Sequence, residues 1–85
     1  MARIVIYSSS YCPYCSAAKQ LLTKKGVAYE EIDVDGRPAL REEMRTKAGG
    51  VNTVPQIWID DRHIGGCDDL HALDDAGKLD PLLAR

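Results

Sequence analysis

Long apolar runs are the first thing this sequence lacks. The longest are strand-sized, such as Ile4–Tyr7, far short of the ~20 residues that a membrane-spanning helix needs. The N-terminus carries no apolar segment of the kind that directs secretion. These two absences point to a cytoplasmic location, and no membrane partner is expected. Charge of one sign is never concentrated either: the net charge is −2, and no block of like charge exceeds two residues. Basic residues are scattered and the four tyrosines have no basic groove beside them, so no nucleic-acid partner is expected. Internal repeats, low-complexity tracts and linkers are missing, and the 85 residues read as one domain, 1–85.

Cysteine is scarce, and its scarcity is informative. There are three, Cys12, Cys15 and Cys67. An odd, small number is not a secreted disulfide framework. In a cytosolic chain a close cysteine pair is catalytic or metal-binding more often than structural. No second pair at that spacing follows, and His63, Cys67 and His71 match no standard zinc pattern. No metal is therefore expected, with a zinc module as the alternative that metal analysis would separate.

What is present reads as β-α-β-α-β-β-α. Arg3 to Ser8 is β-branched and apolar, as a buried central strand should be. Ser9 to Cys12 forms the following loop. A helix opens near Pro13, where a missing N–H costs nothing, and runs to about Lys25. Ala18, Leu21 and Leu22 give it one apolar face, and Gly26 stops it. Val27 to Val34 reads as a second strand, closing a βαβ unit. After the Asp35-Gly36 turn, Pro38 opens a second helix with Leu40, Met44 and Ala48 on its buried stripe, and Gly49-Gly50 ends it. Gln56 to Ile59 and Arg62 to Ile64 read as a hairpin around Asp60-Asp61. Gly65-Gly66 breaks the chain before a last helix from about Cys67 to Ala76, and Pro81-Leu82-Leu83 is expected to pack a C-terminal turn onto the sheet.

Three segments carry chemistry. In the first, Cys12-Pro13-Tyr14-Cys15, the pair directly follows a strand and opens a helix inside a βαβ unit, the setting of a thioredoxin-like redox motif. Unpaired N–H groups and the helix dipole favour an anion at a helix start, and a thiolate is the nucleophile of disulfide exchange. Cys12 is therefore expected to attack. Cys15 lies one turn deeper, ~5–6 Å away at Cβ, where burial keeps it a thiol until it resolves a mixed disulfide on Cys12. In the second, Thr53-Val54-Pro55, the proline precedes a strand. A trans bond is the ordinary expectation there, whereas a cis bond would turn the backbone of Val54 outward as an edge for an extended, peptide-like substrate. In the third, Gly65-Gly66-Cys67-Asp68-Asp69, glycines permit close approach and a helix start offers N–H groups to a carboxylate. One of Asp68 and Asp69 would then be a plain helix cap, or would meet a substrate ammonium. Cys67 is either a small buried thiol behind the site or a regulatory one. His63 and His71 are expected to face solvent, and Trp58 to be core.

Together the motifs Cys12-Pro13-Tyr14-Cys15, Thr53-Val54-Pro55-Gln56 and Gly65-Gly66-Cys67-Asp68-Asp69 resemble those of the glutaredoxins, of the small bacterial dithiol kind, and the resemblance spans nearly the whole chain. It implies an α/β thioredoxin fold with a four-stranded mixed sheet of order 2-1-3-4 flanked by helices. It implies a glutathione-disulfide oxidoreductase with Cys12 and Cys15 as catalytic residues and glutathione as reducing co-substrate. Glutathione would lie between Tyr14, Arg41, Thr53, Val54, Pro55, Gly66, Cys67 and Asp68: Val54 would pair with its cysteine beside a cis Pro55, Cys67 and Asp68 would hold its γ-glutamyl end, and Arg41 would meet its glycyl carboxylate. The implied partners are glutathione and glutathionylated or disulfide-containing proteins, with glutathione reductase reached only through glutathione, and the chain is expected to act as a monomer. Two other readings stay open, a glutathione-ligated iron–sulfur carrier and a redoxin reduced by thioredoxin reductase. The sequence departs from the family at Ser9, where many members carry a lysine that supports the glycyl carboxylate and the thiolate. The loss of that charge is expected to weaken glutathione recognition and to shift the role toward Arg41.

Overall fold

A computed structural model describes residues 2–84. Four strands and four helices follow one another as β1 (Ile4–Ser8), α1 (Pro13–Lys24), β2 (Glu30–Asp33), α2 (Pro38–Lys47), β3 (Gln56–Ile59), β4 (Arg62–Gly65), α3 (Cys67–Asp75) and α4 (Leu79–Leu83). The sheet order is β2-β1-β3-β4. β1 pairs parallel with β2 and antiparallel with β3, and β3 pairs antiparallel with β4. This is the mixed sheet that the sequence leads one to expect.

Alternation along β1 and β3 divides the core into two layers. Ile4, Ile6, Ile57 and Ile59 pack with Ala18, Leu22, Leu70, Leu79 and Leu83 of α1, α3 and α4. On the other face Tyr7 and Trp58 pack with Val34, Met44 and Ala48 under α2. Each large apolar side chain so buried contributes ~1.5–3 kcal/mol. Trp58 is core, as expected, and its ring meets Tyr7 edge-on with centroids 5.3 Å apart.

Two elements differ from expectation. β2 is shorter than the stretch Val27–Val34. The Val27 N–H donates to the Leu22 carbonyl and completes the end of α1, so the segment up to Tyr29 is connector. Pairing of β2 with β1 runs from Val5 opposite Glu30 to Ser8 opposite Asp33. The C-terminal turn is the short helix α4, and its anchors are Leu79 and Leu83. The hairpin turn is as read: Asp60 and Asp61 both have positive φ, 50° and 64°, the conformation that a two-residue turn requires to match strand twist.

Candidate active site

The site assembles where β1, α1, the loop before β3 and the start of α3 converge. Cys12 is the N-cap of α1, with extended backbone (φ −108°, ψ 110°) and Pro13 in the first turn. The backbone N–H of Cys15 donates to Cys12 Sγ at 3.3 Å, so the sulfur receives one of the N–H groups that a helix start leaves unpaired. On its other side, Cys12 Sγ lies 3.7 Å from the carbonyl oxygen of Val54, to which its thiol form donates. The Val54–Pro55 peptide bond is cis.

Cys15 is fully buried. Burial, and next its hydrogen bond to Cys12, push its thiol up to about 12, while the Ser9 backbone N–H and the Lys19 ammonium pull more weakly in the other direction. The two sulfurs therefore sit in different environments: one at the surface with a donor aimed at it, the other in the core and held protonated. Lys19 is one turn beyond Cys15 and pairs with Glu31 at 2.9 Å. Glu31 also accepts from the buried Ser8 hydroxyl at 2.6 Å, and that bond, followed by Lys19, holds its carboxyl below the usual range.

Beside the sulfurs lies a cleft of about 420 Å³. Seven of the eight residues picked out in the sequence as binding candidates line it: Tyr14, Thr53, Val54, Pro55, Gly66, Cys67 and Asp68. Arg41 does not. Its guanidinium binds Asn52, with Nε at 3.1 Å from the side-chain oxygen and Nη2 at 2.8 Å from the carbonyl. It braces the loop that leads into Thr53.

The third motif divides its roles between two aspartates. The carboxylate of Asp69 accepts from the Gly66 N–H at 3.0 Å and so caps α3. Asp68 is exposed on the wall of the cleft, leaving its carboxylate available. Geometry requires glycine at 65 and leaves little room at 66. Gly65 has φ +117°, and a Cβ there would collide with the Asp69 carboxylate. A Cβ on Gly66 would press on the Pro55 carbonyl oxygen at 3.3 Å. Cys67 is buried in the core behind the cleft. Burial raises its pKa, with the negative charges of Asp68 and Cys12 adding to the shift.

The histidines are less free than expected. His71 Nδ1 lies 2.9 Å from the Cys67 carbonyl oxygen and 3.4 Å from its sulfur. His63 keeps an exposed edge but stacks on Trp58 (4.8 Å, 29°) and bonds the buried Gln56 at 2.7 Å. Val51, Gln56 and His63 all line the cleft, and sequence reasoning passed over them. One usable signal was present: Gln56 is the polar member of a strand whose other three residues are apolar.

Ser9 occupies the position of the missing lysine. Its hydroxyl donates to Asp35 at 2.6 Å, and the Ser10 N–H donates to the same carboxylate at 2.8 Å. Those bonds, Ser9 first, lower the Asp35 pKa, with Arg41 adding charge from a greater distance. Among the described residues no three His, Cys, Asp or Glu side chains gather as a metal site, and no helix is long and apolar enough to cross a membrane.

The profile of the glutaredoxin family matches residues 4–64. A glutaredoxin of Pseudomonas aeruginosa is 61% identical over 84 residues, covering 99% of each chain. The solution structure of a Brucella melitensis glutaredoxin superposes with a TM-score of 0.86 at 53% identity, over 98% of this chain and 89% of that one. The crystal structure of a buckwheat glutaredoxin–glutathione complex superposes with a TM-score of 0.89 at 35% identity, over 98% of this chain and 77% of that one.

Proposed function

Because this chain belongs to the glutaredoxin family of thiol–disulfide oxidoreductases, with its thioredoxin fold, we propose that it uses glutathione to reduce protein–glutathione mixed disulfides and protein disulfides. The observation that carries the proposal is the placement of Cys12 Sγ 3.7 Å from the carbonyl of Val54, a residue that lines a cleft together with the start of α3. A peptide-like thiol held on Val54 presents its sulfur to Cys12, and its acidic end reaches the N–H groups at Cys67 and Asp68. The Asp68 carboxylate is there for the ammonium of a γ-glutamyl group. The buckwheat relative was crystallised with glutathione, which supports the same ligand here.

The Cys12 thiolate attacks the glutathione sulfur of the mixed disulfide. That S–S bond breaks, the protein thiolate leaves and takes up a proton, and Cys12 carries the glutathione. A second glutathione, as thiolate, attacks that sulfur, frees Cys12 and departs as oxidised glutathione, which glutathione reductase recycles outside this protein. In the dithiol route Cys12 attacks a protein disulfide and carries one of its sulfurs while the other leaves as a thiol. Cys15 then loses its proton and attacks Cys12 Sγ, that S–S bond breaks, and the second protein thiolate leaves and takes up a proton. Two glutathiones then reduce the resulting Cys12–Cys15 disulfide. Burial holds the Cys15 thiol protonated in the free dithiol, so Cys12 is the sulfur that attacks substrate. Tyr14, Thr53 and Pro55 shape the wall beside the sulfur, Gly66 admits the chain closely, and Arg41 braces the loop before Thr53 through Asn52. The chain works as a monomer in the cytoplasm, where thiols are kept reduced.

A glutathione-coupled disulfide reduction assay tests this. Cys12→Ser is expected to be inactive toward every substrate. Cys15→Ser is expected to keep deglutathionylation and lose most protein-disulfide reduction. Deglutathionylation retained in Cys12→Ser, or NADPH consumption supported by thioredoxin reductase and not by glutathione, contradicts the assignment.

A further inference from the structure

A buried primary amide needs partners for two N–H groups and one oxygen. Gln56 is 2% exposed and finds all of them. Its Nε2 donates to the Thr53 carbonyl at 3.0 Å and to the Thr53 hydroxyl at 3.2 Å. With both protons committed, Oε1 must accept, and its partner at 2.7 Å is His63 Nε2, which is therefore the donor. The His63 ring is itself fixed. It lies opposite Trp58 in the β3–β4 ladder and stacks on that indole, which is 5% exposed and has the Lys47 ammonium 5.0 Å from its ring centre. A continuous chain of contacts thus runs from the α2-side core through Trp58, His63 and Gln56 to Thr53, the residue before Val54.

We propose that His63 is a positioning residue for the substrate-pairing edge: by donating to Gln56 it locks Thr53, and so holds the Val54 backbone at the angle from which substrate is presented to Cys12. The inference deepens the glutathione reading of that edge and rests on it. Substrate binding should depend on the Nε2–H donor, and the chemistry at Cys12 should not, because the bonds of His63 lead to Gln56 and Thr53 and not to the sulfur.

The test compares His63→Phe, which keeps a stacking ring but has no donor, with His63→Gln, which returns an N–H donor without the ring. The KM for a glutathionylated peptide is expected to rise about three- to tenfold in His63→Phe, one hydrogen bond's worth. The kcat and the rate of Cys12 alkylation by iodoacetamide should hold, and His63→Gln should recover most of the loss. Backbone order parameters of Thr53 and Val54, read by NMR without substrate, should fall in His63→Phe and return in His63→Gln. A wild-type KM in His63→Phe, or equal losses in both variants that follow thermal stability, overturns the proposal. Wild-type protein that reduces other disulfides but not the glutathionylated peptide defeats the glutathione reading instead. In that event the order parameters decide the His63 role alone, and no change in them rejects it.

Discussion

Replacing Gly65 with alanine should damage both stability and the site, and the structure sets the scale. Gly65 holds φ +117°, a region where a residue with a Cβ loses ~1–3 kcal/mol. The same Cβ would strike the Asp69 carboxylate, so Asp69 must leave the Gly66 N–H that it accepts from at 3.0 Å. Losing a helix-terminal cap costs ~1 kcal/mol. Gly65→Ala should therefore destabilise by ~2–4 kcal/mol, which for a domain of this size lowers Tm by roughly 10–25 °C. The two effects share one atom group, so they should not add. Asp69→Ala alone should cost ~1 kcal/mol, and Gly65→Ala with Asp69→Ala should cost no more than Gly65→Ala by itself. Urea denaturation followed by circular dichroism measures all three variants. A Gly65→Ala protein within about 1 kcal/mol of wild type, or strict additivity in the double variant, refutes the reasoning.

Burial of Cys15 makes a prediction about alkaline stability. Its folded pKa of about 12 lies above the ordinary thiol value of 9.0, so the native state holds the proton where the unfolded chain releases it. The contribution is fully present below pH 9 and is lost as pH rises toward the folded value. Above pH 9 the wild type should lose ~1.4 kcal/mol per pH unit relative to Cys15→Ala. Parallel denaturation curves for the two proteins contradict this. Ser9→Lys places an ammonium beside Asp35, where the serine hydroxyl now donates. It should lower the KM for a glutathionylated peptide a few-fold at low salt, and screening should remove the gain at high salt. Unchanged turnover at low salt defeats the idea that this position limits recognition.

The framework was legible because local signals agreed with one another. Pro13 at a helix start, the Ala18, Leu21 and Leu22 face, and the Asp60-Asp61 turn each act over a few residues, and the structure repeats them. The reactive pair was legible for the same reason, since strand, loop and helix start are consecutive in sequence. What depends on distant partners was harder to see. β2 begins only at Glu30 because Val27 is taken up in closing the end of α1, which no pattern within Val27–Val34 records. The division of labour between Asp68 and Asp69 follows from which carboxylate turns back to the Gly66 N–H. The partner of Arg41, Asn52, lies eleven residues on, across the end of α2. His63 and Gln56 meet only because the hairpin puts them on one face of the sheet.

The identity of the sulfur that carries glutathione is tested most directly by a single turnover of Cys15→Ser with a glutathionylated peptide, followed by mass spectrometry of the protein. The expected result is one glutathione adduct mapped to Cys12, with release of the free peptide thiol. An adduct on Cys67, a peptide adduct on Cys12 in place of glutathione, or no adduct while turnover continues would contradict it.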